Sequence, residues 1–265
     1  MNPVSDKKLK YITSAKEEKT VVDTIRVPNG STVKMIAHRG ASSLERENTL
    51  PAFLAACNRS FYGIETDVHP TSDGGFVIMH DSNTSRVAFE EAILEESTLE
   101  EIAKIRIRDL DGEFRQDLRV PLYSEYLKLC RRYGKRPIIE LKGEFSGEQF
   151  DRFIKESGDC SDLTFISFDE GNLISLRSRL PSVSLQYLTG SWDDEVRSFL
   201  REYRLDLDLY YGTMFSEDGK EVDRSIPETL HREGKLLNVW TVDTLPDAIP
   251  LISAGVDMIT SNTLE

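Results

Sequence analysis

The sequence predicts an α/β protein built as a closed (β/α)8 barrel of the TIM type, with a small insertion near its mouth. Three observations lead there. The chain has 265 residues, and a barrel of this kind typically uses roughly 250. Short apolar runs recur along most of it. Amphipathic stretches fill most of the gaps, and strand and helix signals that alternate in this way imply a parallel sheet.

Residues 1–32 precede the first strand and form an N-terminal arm, in which 21–27 reads as a short strand at the barrel bottom. Residues 33–265 form the barrel domain. Its first strand is 33–38, followed by a helix over 49–59 that the Asn48-Thr49 pair can cap. The next strand is 62–68. The apolar run 76–80 follows it after only an Asp73-Gly74-Gly75 turn. A parallel neighbour needs a crossover of about a dozen residues, so 76–80 is expected to return antiparallel, as a hairpin. Residues 81–121 read as a charged insertion over the mouth, helical over 90–108 and a loop over 109–119. A helix over 122–133 then packs outside. Strands follow at 137–141, 163–168, 183–188, 205–211, 236–242 and 256–260, with helices at 151–157, 193–203, 226–233 and 246–254. With the hairpin set aside, eight parallel strands remain.

The chain carries 46 acidic and 33 basic side chains, a net charge of −13. A nucleic-acid partner needs a basic footprint, and an anionic membrane attracts one too, so both are excluded as expectations. No apolar stretch approaches about 18 residues, so no stable membrane insertion is expected. A small anionic ester remains compatible with the acidity, because a bound divalent cation reverses the local field. The N-terminus is polar and lysine-rich and lacks the apolar stretch of a secretory signal, which points to the cytoplasm. Cys57, Cys130 and Cys160 are odd in number and form no C-x-x-C pair, so they read as reduced thiols. Homodimerisation is left open.

In a β/α barrel the strands' C-terminal ends share one face, where catalytic groups sit. Glu65 and Asp67 are two apart in a strand and point the same way. Facing inward, two carboxylates would repel and be costly to desolvate, and a cation would relieve both; facing outward, they would be ordinary surface acids. Glu140, from the neighbouring strand, would be a third oxygen donor. Such a set suits Mg²⁺ or Ca²⁺, with Mn²⁺ as an alternative, rather than zinc. His38 and His80 both terminate strands, and two imidazoles suit proton transfer at neutral pH. His69 reads as supporting or structural, and His231 as a surface residue. Arg39 can hold a phosphoryl oxygen through its fork. Lys142 shares the face of Glu140 and either meets charge on the reacting group or forms an internal salt bridge. Trp240 is a candidate apolar wall or a core residue, with Phe168, Tyr187 and Tyr210 as further rim candidates.

These residues resemble one known family. His38-Arg39-Gly40, Glu47-Asn48-Thr49, Gly63-Ile64-Glu65-Thr66-Asp67-Val68, Thr71-Ser72-Asp73-Gly74 and His80-Asp81 are similar to the opening motifs of glycerophosphodiester phosphodiesterases. Ile139-Glu140-Leu141-Lys142, Ile166-Ser167-Phe168, Val239-Trp240-Thr241-Val242 and Gly255-Val256-Asp257 are similar to the later ones. The resemblance implies an α/β barrel with one divalent cation on Glu65, Asp67 and Glu140. It also implies His38 and His80 as an acid/base pair, and Arg39 and Lys142 on the phosphate. Three positions depart from the pattern. Arg46 replaces the usual proline, Asp243 the frequent asparagine, and the tail Thr260-Ser261-Asn262-Thr263 lacks the usual Thr-Asp ending.

The expected reaction is metal-dependent hydrolysis of a small glycerophosphodiester to sn-glycerol 3-phosphate and an alcohol. His38 would be the base and His80 the acid, with water or a glycerol hydroxyl as attacker. The rival readings are a lysophospholipase D, which needs an apolar groove, and a non-catalytic phosphate-binding barrel. A sugar-phosphate isomerase or aldolase would use a lysine or carboxylate base instead of two histidines.

Overall fold

Eight parallel strands close on themselves in the computed structural model, which describes residues 9–12, 18–21, 23–28, 32–143, 145–216, 218–219 and 221–265. The barrel strands are β1 (Lys34–Ala37), β2 (Gly63–Pro70), β3 (Arg136–Leu141), β4 (Thr164–Ser167), β5 (Ser184–Thr189), β6 (Asp206–Tyr210), β7 (Leu237–Trp240) and β8 (Met258–Ser261). Each pairs in parallel with the next. β8 pairs with β1 through Ile259 and Met35, and β1 with β2 through Ile36 and Gly63, which completes the ring. Phe76–Ile78 adds an antiparallel strand to β2, with Val68 opposite Ile78, as the short turn required.

The helices are α1 (Leu50–Cys57), α2 (Leu99–Ile102), α3 (Tyr123–Tyr133), α4 (Gly147–Ser157), α5 (Glu170–Arg179), α6 (Asp194–Glu202), α7 (Ser225–Arg232) and α8 (Leu245–Ala254). Local chemistry starts many of them. Thr49, Ser146, Asp169, Asp193 and Thr244 each accept a hydrogen bond from a backbone N–H in the first turn, the usual role of an N-cap. Gly40 turns the chain from β1 toward α1 with φ +83°, and a Cβ there would lie 2.7 Å from the backbone of Ala52.

Alternation along the strands separates two apolar layers. Ile64 and Val68 of β2 pack outward with Phe53, Tyr126 and the other helix-facing residues. Inside the barrel, Ile36, Ile138, Ile166, Leu188 and Met258 form a plug on which Trp240 rests. Between β2 and β3 the buried Tyr126 hydroxyl adds to the ladder: it donates to Ile64 O at 2.6 Å and accepts from Ile138 N at 3.1 Å. Tyr126→Phe is therefore expected to lower unfolding stability by about 0.5–1.5 kcal/mol, the net worth of a buried hydrogen bond. Urea denaturation would read this, with kcat on a glycerophosphodiester unchanged.

Several expectations need correction. Residues 90–108 are not one helix: they hold a 3₁₀ turn at Leu94–Glu96, α2, and the strand Arg106–Arg108. That strand pairs antiparallel with Phe114–Arg119, so 109–119 is half of a hairpin rather than a loop. Ile105 and Ile107, and likewise Leu118 and Val120, alternate with polar residues. Their apolar faces pack with Val77, Met79, Val87 and Ile102 in a small separate core. Helix α5 was missed because its sequence is polar; its buried face is Asn172, Leu173 and Leu176. The expected strand over 21–27 is reduced to an extended piece beside the C-terminus, where Ile25 N donates to Thr263 O and Val27 N to Glu265 O, both at 2.8 Å. Leu9–Ile12 and Glu18–Val21 form an antiparallel ladder that the sequence did not suggest. The rest of the arm, residues 1–8, 13–17, 22 and 29–31, lies outside the described residues. No helix among the described residues is long and apolar enough to cross a membrane. Cys57, Cys130 and Cys160 are free and buried.

Candidate active site

Glu65, Asp67 and Glu140 turn inward at the mouth end of β2 and β3, not outward. At most 9% of each is exposed, and one oxygen from each lies within 4.8 Å of the others. Gly63, at the start of β2, allows this close approach; a Cβ there would meet Arg136 O at 2.8 Å. Burial and the charge of Asp67 push the Glu65 carboxyl well above its ordinary range, against the pull of Arg39. Burial and Asp67 also push Glu140 up to about 7, against Lys142. Burial opposes ionisation of Asp67 as well, but Arg39 and Lys142 outweigh it and hold Asp67 low.

Lys142 follows β3 and lies 2.9 Å from Glu140 and 3.5 Å from Asp67, so it forms the internal ion pair while also lining the cavity. Asp67 Oδ1 is buried without a hydrogen-bond partner. A buried oxygen with the 3.5 Å Lys142 ion pair but no hydrogen bond among the described residues, set among three acids of which two resist ionisation, suits a hard divalent cation, which would draw all three into the charged form.

The two imidazoles share a cavity of roughly 160 Å³ with Glu65 and Glu140, and Asp67 is fully buried beside these two acids. His38 follows β1, and its Nδ1 lies 2.8 Å from Asn262 Oδ1. Burial and the neighbouring Arg39 hold its pKa below the ordinary imidazole value, against the Asn262 bond. His80 follows the hairpin strand and is paired through Nδ1 with Asp81 Oδ1 at 2.7 Å. His69 stays off the cavity lining. Its Nε2 lies 3.3 Å from the His80 carbonyl, and burial lowers its pKa to about 4. His231 is bonded to Asp257 on the periphery.

Charged side chains join the two imidazole regions. Arg39 Nε lies 3.4 Å from Asp67, and Arg39 Nη1 2.9 Å from Glu47. Arg86 reaches Glu47 at 2.9 Å and Asp81 at 2.5 Å. Two of Arg39's nitrogens are thus engaged by protein carboxylates, which leaves Nη2 for a ligand. Asn48 sits in the left-handed region (φ 54°) and donates to Asp67 Oδ2 at 2.7 Å, while Thr66 Oγ1 donates to Asn48 Oδ1. The Glu47-Asn48-Thr49 motif therefore fixes Arg39, fixes Asp67 and caps α1. Arg46, standing where the family usually has proline, donates to the carbonyls of Arg108 and Asp109 and ties the hairpin to the barrel.

Trp240 lines the cavity, donating its indole N–H to Asp208 O at 3.2 Å. Its ring meets Phe168 edge-on and Tyr210 at a tilt, each 5.6 Å away. Tyr187 does not join this rim. It packs on Phe199 of α6, because its strand position alternates with the cavity-lining Leu188. Sequence reading missed Asp208, a fully buried acid in the cavity wall whose pKa is raised well above the ordinary range by burial and then Glu140. Its signal was the alternation Leu205-Asp206-Leu207-Asp208-Leu209, which sets the two acids on the strand face opposite the leucines. A larger groove of about 830 Å³ between α1 and α3 is lined by no histidine.

The model of the glycerophosphoryl diester phosphodiesterase family matches residues 38–265. A glycerophosphodiester phosphodiesterase from Caldanaerobacter subterraneus is 30% identical over 238 residues, 87% of this chain and 94% of that protein. One from Bacillus altitudinis is 26% identical over 239 residues, 85% of this chain and 93% of that protein. Among solved structures, a phosphodiesterase from Oleispira antarctica, in complex with the product sn-glycerol-3-phosphate, is similar with a TM-score of 0.76. It is 22% identical, covers 87% of this chain and 93% of its own, and supports the barrel fold. The chain belongs to the glycerophosphoryl diester phosphodiesterase family and is a phosphoric diester hydrolase.

Proposed function

We propose that this chain hydrolyses small glycerophosphodiesters to sn-glycerol 3-phosphate and an alcohol, with one divalent cation held by Glu65, Asp67 and Glu140. The observation that carries the reading is the meeting of Glu65, Glu140, two imidazoles and Lys142 around one cavity, with the buried Asp67 within reach of both acids. Mg²⁺ or Ca²⁺ fits this donor set, with Mn²⁺ as the alternative. When bound, the cation supplies Lewis acidity toward a non-bridging phosphate oxygen.

The chain's own groups do the rest. His38 accepts the proton of the attacking oxygen, and His80 returns one to the departing alkoxide. Lys142 and the free end of Arg39 meet the charge that grows on the phosphoryl oxygens. Trp240 and Phe168 form an apolar wall for the alcohol portion. A panel of glycerophosphodiesters with choline, ethanolamine, glycerol and inositol headgroups, each assayed with Mg²⁺, Ca²⁺ and Mn²⁺, tests the function. Absence of turnover under all conditions would reject it in favour of a binding barrel.

Glu140 gives the cation site a pH signature. Its carboxyl, pushed up to about 7, must lose its proton to become a ligand. Because Glu65 is also held high, cation affinity is expected to be weak near pH 5 and to rise with pH through 7. Calorimetry at pH 6 in buffers of different ionisation enthalpy should show proton release on binding. Equal apparent enthalpies would contradict it.

A further inference from the structure

We propose that Asp243, acting through Asn262, fixes the tautomer of His38, with the proton on Nδ1 and the lone pair on Nε2. Asp243 is a positioning residue in this assignment, which rests on the reading of His38 as proton acceptor given above.

Three neighbouring strand ends build the device. His38 follows β1, Asn262 follows β8, and Asp243 lies just beyond β7. The Asp243 carboxylate receives three donors. Oδ1 accepts from the Asn262 backbone N–H at 2.7 Å and from Ser261 Oγ at 3.0 Å, and Oδ2 accepts from Asn262 Nδ2 at 2.7 Å. A carboxylate only accepts, so the Asn262 amide must turn its NH₂ toward Asp243. Its oxygen is left facing His38 Nδ1 at 2.8 Å. Ser42 Oγ also donates to that oxygen, at 2.7 Å. An amide oxygen accepts only, so Nδ1 must be the protonated nitrogen of a neutral ring. The ring itself is placed by its own backbone, with His38 N donating to Ser261 O at 2.9 Å. Burial beside Arg39 disfavours the doubly protonated ring, so Nε2 keeps its lone pair for chemistry.

An asparagine at 243 cannot reproduce this pattern. One of its two side-chain positions becomes NH₂ and must oppose either the backbone N–H of Asn262 or that residue's amide. Relief comes if Asn262 turns over and presents NH₂ to His38, which would move the ring proton to Nε2. Asp243 and the 260–263 tail that holds Asn262 are two of the three places where the sequence departs from the family pattern, and here they are bonded to each other.

The test is D243N, together with the exchange variant D243N/N262D, which moves the carboxylate next to the imidazole and again demands a proton on Nδ1. With only four histidines in the chain, long-range ¹H–¹⁵N spectra can report the His38 tautomer, assigned against H38Q. The wild type is expected to show Nδ1–H. D243N is expected to show Nε2–H and to lose about 10²–10⁴-fold in kcat. KM for glycerophosphocholine with Mg²⁺ should move by no more than roughly threefold, since substrate contacts are untouched. The exchange variant should restore Nδ1–H and recover kcat at least about tenfold over D243N.

An Nε2–H tautomer in the wild type would overturn the proposal, and that spectrum needs no variant to fold. D243N with unchanged kcat and unchanged tautomer would overturn it too, as would an exchange variant that shows Nδ1–H but stays as slow as D243N. Absence of turnover in the wild type alongside an Nδ1–H spectrum would remove the proposed function and support the tautomer assignment.

Discussion

Replacing His80 by alanine is expected to lower kcat on glycerophosphocholine by about 10²–10⁴-fold, with cation binding intact. His80 lines the cavity and is backed by Asp81 at 2.7 Å. Asp81 stays ionised despite partial burial, because Arg86 and His80 hold its pKa low. The assignment also predicts how the loss depends on substrate. An alkoxide such as choline's needs a proton to depart, whereas a p-nitrophenolate leaves without one, so the effect of H80A should shrink markedly on a p-nitrophenyl diester. An equal loss on both substrates would place His80 elsewhere in the mechanism, and full activity on glycerophosphocholine would remove it altogether.

Asp67→Ala is expected to cost about 3–5 kcal/mol of unfolding stability without added cation, the range for removing one partner of a buried ion pair. Asp67 is fully buried, with Lys142 and Arg39 beside it. Its loss leaves two cations to two acids that both resist ionisation and frees the Asn48 amide from its acceptor. The variant should also stop responding to divalent ions. A wild-type protein at a hundredfold excess of cation over Kd gains about 2.7 kcal/mol, and D67A should gain almost nothing. Urea titrations with and without Mg²⁺ or Ca²⁺ read both effects. A variant that keeps its cation-induced shift would exclude Asp67 from the ligand set.

The barrel was legible because a parallel strand buried on both faces leaves a short apolar run, and the turn at Asp73-Gly74-Gly75 was too short for anything but a hairpin. The acids and imidazoles were legible because strand ends gather on one face, so residues as distant as His38 and Glu140 could be placed together from sequence position. What escaped was set by tertiary contact. Helix α5 carries Gly171, Asn172 and Ser175, and its place depends on bonds such as Asn172 Nδ2 to Gly143 O at 2.7 Å. The hairpin of 106–119 did show period-two alternation at Ile105 and Ile107, but the surrounding charges resembled an exposed helix. Asp208 and the Asp243–Asn262 pair were hidden for another reason. Their meaning lies in which atoms they face, and hydrogen-bond direction leaves no trace in residue spacing.

Asp67, Arg39, Glu47, Arg86 and Asp81 form one unbroken string of alternating charges that runs from the mouth end of β2 to the partner of His80. This sets where chimaeras within the family can be cut. A transplant of 81–121 that leaves its recipient without a carboxylate at 47 would strand two guanidiniums against each other. A graft that carries Glu47 and Arg86 together keeps the charges alternating. The seam for exchanging mouth segments thus runs ahead of Glu47, inside the β1–α1 turn, well upstream of where the extra segment begins in the chain.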